Sequence, residues 1–345
     1  MSHLNVKYFS GTLIAILILI AAVTGCKKSS TSASYQQVNL VADTAGYSGA
    51  RIDANLKNAW GIAIGPTGIF WISANHTALT TVYDRTGTQI LPAVSLNAGG
   101  APTGVIYNST GSFIGSKFIY AGEDGIISAW TSGTATAIVA DRSSASAVYK
   151  GITIASDGGA NFLYAADFKN GHVDVFDQSF TYVTTKPFAD PSIPAGFAPF
   201  NIQNIGGKLY VTYAKQKGPD NEDDEKGAGN GYVNIFNPDG TLVKRFASQG
   251  TLNSPWGLTQ VSSGFGQNSN DILVGNFGDG RINIYDANGS YQGQLMDGGT
   301  PITIDGLWAL QFPQNGVPAG DQNQLFFTAG PGDEEHGLFG YIQKR

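Results

Sequence analysis

Cysteine is almost missing from this chain: its 345 residues include one, Cys26. Beyond that position no disulfide, thiolate metal site or cysteine nucleophile can be built. Charge is scarce as well, at 13% of residues against roughly a quarter in average proteins, and the 20 basic residues never run together for more than two positions. A nucleic-acid partner needs clustered Lys and Arg to meet phosphates, and the net charge of −6 argues the same way, so nucleic acid is excluded as a partner. Two catalytic signatures are absent, His-Glu-x-x-His and the Gly-x-Ser-x-Gly elbow. What is plentiful is glycine, 46 residues or about twice average usage, together with 15 Tyr and 19 Phe. A hydrophobic share of 42% is enough for a sizeable core, so low charge does not mean disorder here. This is a turn-rich β profile, and all-β rings reach this length as single domains.

The first 26 residues read as processing signals. Lys7 precedes an apolar run from Leu13 to Val23, short of the about 20 residues that a spanning helix needs, and small residues then lead into Cys26. Val23-Thr24-Gly25-Cys26 resembles a bacterial lipobox, which implies cleavage before Cys26 and lipidation of that residue; a plain signal anchor is the alternative. The expected organisation is a signal peptide over 1–25, a lipidated Cys26 with a Ser-rich tether over 26–37, and one domain over 38–345. The implied localisation is that of an exported protein, lipid-anchored in the bacterial cell envelope. Lys27 and Lys28 favour the periplasmic side of the outer membrane.

A repeat fills the rest of the chain. Six apolar strand openings recur at Ala59-Trp60-Gly61, Pro102-Thr103-Gly104, Tyr149-Lys150-Gly151, Pro199-Phe200-Asn201, Pro255-Trp256-Gly257 and Leu307-Trp308-Ala309, spaced by 43, 47, 50, 56 and 52 residues. Each is followed by a second strand rich in aromatic and β-branched residues. A third strand ends, in four repeats, on an aromatic-Asx pair before a turn: Tyr83-Asp84, Phe176-Asp177, Phe236-Asn237 and Tyr285-Asp286. An Asx side chain caps such a turn and lets the chain reverse into a fourth, outer strand. The sixth repeat runs out after its third strand, Gly337 to Ile342, whereas Val38 to Val41 is a strand without a repeat. The reading is an all-β, six-bladed β-propeller of four-stranded antiparallel blades, closed by the N-terminal strand completing the last blade. A β-sandwich would need neither six equivalent openings nor an orphan strand, and the Trp-Asp signature of WD repeats is absent.

The pattern resembles NHL-like six-bladed propellers, and more closely an uncharacterised family of secreted bacterial propeller proteins often bearing PEP-CTERM-type sorting tails. The resemblance is carried by Glu123-Asp124-Gly125, Ala147-Val148-Tyr149-Lys150-Gly151, Ala165-Ala166-Asp167-Phe168, Pro199-Phe200-Asn201, Gly275-Asn276-Phe277-Gly278-Asp279-Gly280 and Thr328-Ala329-Gly330. The reading departs from that family in expecting no C-terminal sorting tail, with a lipid at Cys26 in its place.

In a propeller the loops joining second to third strands gather on one face, around the mouth of the central channel. Those loops carry Asn75 and His76, Glu123 and Asp124, Asp167 and Lys169, the insert 215–231, Asn276 and Asp279, and Asp333 to His336. Glu123, Asp124, Asp167, Asn276, Asp279 and Glu334 are the candidate ligand or metal residues, with Lys150, Lys169 and His336 as possible basic partners. Oxygen ligands from several loops suit calcium or another divalent cation. The acidic run Asp220 to Glu225 lacks EF-hand spacing and reads as a solvated loop. Trp60, Trp256 and Trp308 fall at equivalent blade positions, which favours packing over sugar stacking. Three functions remain open. They are a binding or scaffold module, a monomer recognising protein or glycan; a metal-assisted hydrolase of the gluconolactonase and regucalcin type; and a sugar or quinone-linked dehydrogenase. The second departs from its family's pattern, since no Glu precedes Ala59-Trp60-Gly61 and no Pro-Asn-Gly motif is present.

Overall fold

The computed structural model describes residues 1–4, 34–96, 100–314 and 316–345. The chain divides into two units, residues 1–32 and 33–345, and the second holds the whole repeat. The apolar run, the lipobox and Cys26 lie outside the described residues.

The second unit is a ring of six antiparallel sheets. Blade 1 is Ala59–Ile64, Phe70–Ala74, Leu79–Tyr83 and Gln89–Ser95; blade 2 is Pro102–Tyr107, Phe118–Gly122, Ile126–Trp130 and Ala137–Asp141. Blade 3 is Tyr149–Asp157, Ala160–Asp167, His172–Phe176 and Tyr182–Val183; blade 4 is Phe197–Ile205, Lys208–Lys215, Gly231–Phe236 and Leu242–Ser248. Blade 5 is Pro255–Gln260, Ile272–Asn276, Ile282–Tyr285 and Tyr291–Gln294, followed by a small hairpin at Met296–Asp297 and Thr300–Pro301. Blade 6 takes Leu307–Gln311, Gln324–Ala329 and Leu338–Lys344 from the chain's end and its outer strand, Tyr35–Ala42, from the beginning.

The closure is longer than the sequence suggested. It starts at Tyr35 rather than Val38 and pairs antiparallel with the last strand from Tyr35 opposite Lys344 to Ala42 opposite Leu338, with one irregularity between Asn39 and Val41. Tyr35 is buried and packs on Phe265 at 4.7 Å between ring centroids, so the strand is held by its side chains as well as by its backbone. Arg51–Ile52 adds a short parallel strand outside it.

The repeated strand opening has a mechanical cause. In five blades the pairing of the inner strand slips just after its first residue, for example between Ala59 and Ile62 and between Pro255 and Leu258, and in blade 4 it slips after the third, between Pro199 and Asn201. Neighbouring inner strands crowd together around the axis at this bulge. A Cβ on Gly61 would sit 2.6 Å from the Thr103 carbonyl oxygen, and one on Gly257 would sit 2.5 Å from that of Trp308. Glycine recurs there because backbone from the next blade occupies the space. The aromatic-Asx turns behave as their chemistry requires: Asp84 Oδ1 accepts from the Thr86 and Thr88 amides at 2.8 and 2.9 Å, and Asp286 Oδ1 from those of Asn288 and Ser290 at 2.9 Å each. In blade 4 the cap is Asp239, which takes the Thr241 amide at 2.8 Å, rather than Asn237.

Candidate functional site

Each inner strand runs from the loop face towards the opposite face, so its first residues lie at one end of the axis and its last at the other. At the loop-face end the axis is filled by aromatic rings. Trp308 stacks between Trp60, at 3.6 Å, and Phe277, at 3.8 Å, with Trp256 meeting Trp60 edge-on at 6.3 Å and Phe200 packed on Trp308 at 5.9 Å. All five are buried and belong to one core cluster, which also includes Phe168 of blade 3. The packing role expected for Trp60, Trp256 and Trp308 holds for all three. The Trp308 indole nitrogen also donates to Asn58 Oδ1 at 2.9 Å.

Above this plug a charged network converges. The buried Lys150 ammonium forms an ion pair with Glu123 and lies 5.2 Å from the centre of the Trp60 ring. Asn75 Nδ2 donates to the other Glu123 oxygen at 2.8 Å, and Asn58 Nδ2 donates to Glu334 Oε2 at 2.7 Å. Burial disfavours the charged form of Lys150, yet the Glu123 carboxylate overrides it and the lysine's pKa is raised. Burial pushes Glu334 up to about 6 against the hydrogen bond from Asn58 and the pull of Lys150. The acidic insert is not wholly solvated as its sequence suggested. Asp224 turns inward beside the buried Ser254, and burial raises its pKa against the hydrogen bond with Ser254 and the nearness of Lys150 and Lys226. The turn is imposed by the insert's anchors: Gln216 Nε2 donates to the Phe168 carbonyl at 2.7 Å, Lys169 pairs with Glu222 at 2.6 Å, and Lys215 pairs with Glu225 at 2.8 Å.

Of the six candidate residues, Glu123 and Glu334 join Lys150. The other four serve local turns. Asp124 Oδ1 accepts from the Ile126 amide at 3.2 Å, and Asp279 Oδ1 accepts from the Arg281 amide at 3.2 Å and from Asn276 Nδ2 at 3.0 Å. Asn276 Oδ1 takes the Asn253 amide at 3.2 Å. Asp167 accepts from the Val148 and Asn170 amides at 3.1 and 3.2 Å. Of the three basic candidates, Lys169 holds the insert, and His336 faces Asp43 at 3.1 Å, fastening the end of the closing strand to blade 6.

Asp167 also belongs to a group that the sequence did not single out. Asp167, His172 and Asp174 offer three ligand atoms within 4.8 Å of one another, a set able to hold a metal ion. The same atoms satisfy one another. His172 Nε2 lies 2.9 Å from Asp174 Oδ1, and Asp174 Oδ2 accepts from the Tyr149 hydroxyl at 2.6 Å and from Arg142 Nε at 3.4 Å. The hydrogen bond with Asp174 raises the pKa of His172; burial would raise that of Asp174, but His172 and Tyr149 bring it below the ordinary value.

On the far side of the plug, a cavity of about 520 Å³ follows the axis to the opposite face. Its deep end is bounded by Gly61, Gly104 and Trp256, and its outer part by the amides of Asn161, Gln203, Asn204, Gln260, Gln311 and Gln314, with Thr153 and Thr259 between. Among the described residues no carboxylate, Lys, Arg or His lines it; the one titratable group in that lining is the Tyr107 phenol. Trp256 is 4% exposed, and its Nε1 has no hydrogen-bond partner among the described residues. Sequence reasoning missed this cavity because its walls are the ordinary alternate positions of six inner strands.

The fold is that of a six-bladed β-propeller. Among solved structures it is similar to streptogramin B lyase (TM-score 0.54, 13% identity, covering 90% of this chain and 98% of the other) and to a gluconolactonase of Xanthomonas campestris (0.54, 15%, 91% and 91%). It is also similar to the aldose sugar dehydrogenase of Escherichia coli (0.54, 14%, 90% and 100%); at such identities the likeness is one of fold alone. No family model matches the chain. Two uncharacterised proteins of Acanthamoeba polyphaga mimivirus are similar along most of its length, one 35% identical over 333 residues (89% of this chain, 86% of the relative), the other 34% identical over 317 residues (86% and 77%). The chain belongs to the family of these uncharacterised proteins. These relatives are viral, where the sequence pattern had pointed to bacterial ones.

Proposed function

We propose that the protein is a binding propeller that takes an uncharged, hydroxyl-rich ligand, the end of a glycan, into its axial cavity. The observation that carries this reading is the chemistry of the cavity wall. General acid–base catalysis needs a titratable group within about 3 Å of the reacting atoms, whereas this wall presents amides and hydroxyls and, among the described residues, a single titratable group, the Tyr107 phenol. Amides both donate and accept, which matches hydroxyl groups that do the same. At the closed end the cavity meets the Trp256 indole, an apolar surface. The volume lies within the range of about 300–1,000 Å³ usual for small-molecule sites. In this reading the chain acts as a monomer, exported and held by a lipid at Cys26 to the cell envelope, facing the periplasm.

A second reading, a metal-assisted hydrolase, is favoured by the grouping of Asp167, His172 and Asp174. Arg142 and Tyr149 already occupy Asp174, which is why the binding reading ranks above it. The test is a panel of neutral and charged oligosaccharides against the native protein and Gln203→Trp, which fills the cavity. Retention of neutral glycans, lost in the variant, supports the proposal. Retention confined to charged glycans, or unaffected by the variant, refutes it. The anchor is tested separately, because Cys26→Ser should move the protein from the membrane to the soluble fraction.

A further inference from the structure

The closed end of the axial cavity holds a polar group that the repeat does not call for. At the third position of the strand opening, four blades carry glycine (Gly61, Gly104, Gly151 and Gly257) and blade 6 carries Ala309, whereas blade 4 carries Asn201. Asn201 lines the cavity although it is only 6% exposed. Its side chain spans the gap between two neighbouring blades: Nδ2 donates to the Trp256 carbonyl of blade 5 at 2.7 Å, and a Cβ on Gly151 of blade 3 would overlap Oδ1. Oδ1 accepts from the Ile202 amide at 2.8 Å. A carboxamide has two N–H donors and two lone pairs on its oxygen, so one N–H and one lone pair of Asn201 have no partner among the described residues. Around this amide the cavity is aliphatic. The residue after the third position is Ile62, Val105, Ile152, Leu258 and Leu310 in the other five blades, and all five line the cavity.

We propose that this end of the cavity recognises an acetamido group, so that the glycan taken by the propeller ends in an N-acetylhexosamine. The inference rests on the binding reading given above and adds the class of sugar. An acetamido group presents a carbonyl oxygen, the acceptor that the open Asn201 N–H lacks, and on the same carbon a methyl group, the apolar partner that the collar lacks. A plain hexose has a hydroxyl in its place. That hydroxyl is shorter and brings no apolar group, so the collar would stay against water. Amino sugars and uronic acids fit less well still, because among the described residues no carboxylate, Lys, Arg or His lines the cavity to pair with their charge.

The full chain is titrated calorimetrically with triacetylchitotriose and with cellotriose, trisaccharides of the same β-linked backbone that differ only in carrying acetamido or hydroxyl at the second carbon. The first should bind about twentyfold more tightly, the combined scale of one buried methyl group and one hydrogen bond. Asn201→Gly gives blade 4 the residue of four other blades. It should cut the preference to about fourfold, the share of the methyl group alone, and keep cellotriose binding, whereas a merely structural role would weaken both sugars alike. Equal affinities in the native protein, or a preference for cellotriose, would overturn the acetamido assignment and leave the binding reading in place. Binding of neither trisaccharide would overturn it too, and the oligosaccharide panel then shows whether a neutral glycan of another class is held or the binding reading has failed with it. A twentyfold preference that survives in Asn201→Gly would overturn the role given to Asn201. The comparison in the native protein needs no variant, so it decides even where Asn201→Gly fails to fold.

Discussion

Replacing Lys150 by methionine isolates the one buried ion pair at the centre of the loop face. Methionine keeps most of the stem that packs over Trp60 and removes only the ammonium. Glu123 is then left with Asn75 as its remaining hydrogen-bond partner. Breaking a fully buried pair from one side costs about 3–5 kcal/mol. The Glu123 side chain is 27% exposed against 3% for Lys150, so water relieves part of the loss, and about 2–3 kcal/mol is the expected figure. For a body of this size that lowers the melting temperature by about 3–5 °C. Combining Lys150→Met with Glu123→Gln removes the stranded charge, and the double variant should recover about 1–2 kcal/mol relative to the sum of the two singles. The assay is a double-mutant cycle by urea denaturation at pH 7.5. A single-variant loss below about 0.5 kcal/mol, or strict additivity in the cycle, would refute the claim that Lys150 neutralises this carboxylate.

The closing strand, the histidine cluster and the loop face each have an expected response of their own. A chain starting at Ser34 should melt as the full body does, whereas one starting at Asp43 loses the eight-residue strand that closes blade 6, exposes the edge of Leu338–Lys344 and should melt more than about 10 °C lower or aggregate, a drop on the scale of several kcal/mol; equal melting curves would contradict the closure. The raised pKa of His172 means that its ion pair with Asp174 stabilises fully below the unfolded value near 6.5 and fades as pH rises through the folded value. The difference in melting temperature between the native protein and His172→Asn should therefore be larger at pH 5.5 than at pH 9, and a difference that grows with pH would reverse the assignment. Because Lys150 sits among the loop-face carboxylates and Arg142 holds Asp174, neither calcium nor a chelator should move the melting temperature. A calcium-dependent rise abolished by Asp174→Asn would show instead that the histidine cluster holds a metal.

Much of the ring was legible in the sequence because its constraints act on single residues. Gly61 and Gly257 recur where the next blade's backbone leaves no room for a Cβ, and Asp84 and Asp286 recur where a turn needs a carboxylate cap. Even the missing strand could be counted. The site was legible only in part. That loop residues would converge was clear, and Glu123, Lys150 and Glu334 do meet, but Asp124, Asp167, Asn276 and Asp279 carry the same residue types for the sake of turns. Asp224 was unreadable because its inward turn depends on anchors at Phe168 and Lys169, some 50 residues earlier in the chain. The partner of His336 is Asp43, 293 positions away, brought there only by the closing strand. The axial cavity left no local signature, since it is the space between six strands rather than a motif in any of them.

The central claim is that the ligand enters the axial cavity and is bound there without being transformed. The most direct measurement is a crystal structure of the protein soaked with the glycan selected from the oligosaccharide panel. Intact sugar on the axis, its innermost ring against Trp256 and its hydroxyls met by Gln203 and Gln260, is the predicted result. Sugar on the loop face beside Glu123, Lys150 and Glu334, or a cleaved product in either place, would contradict it.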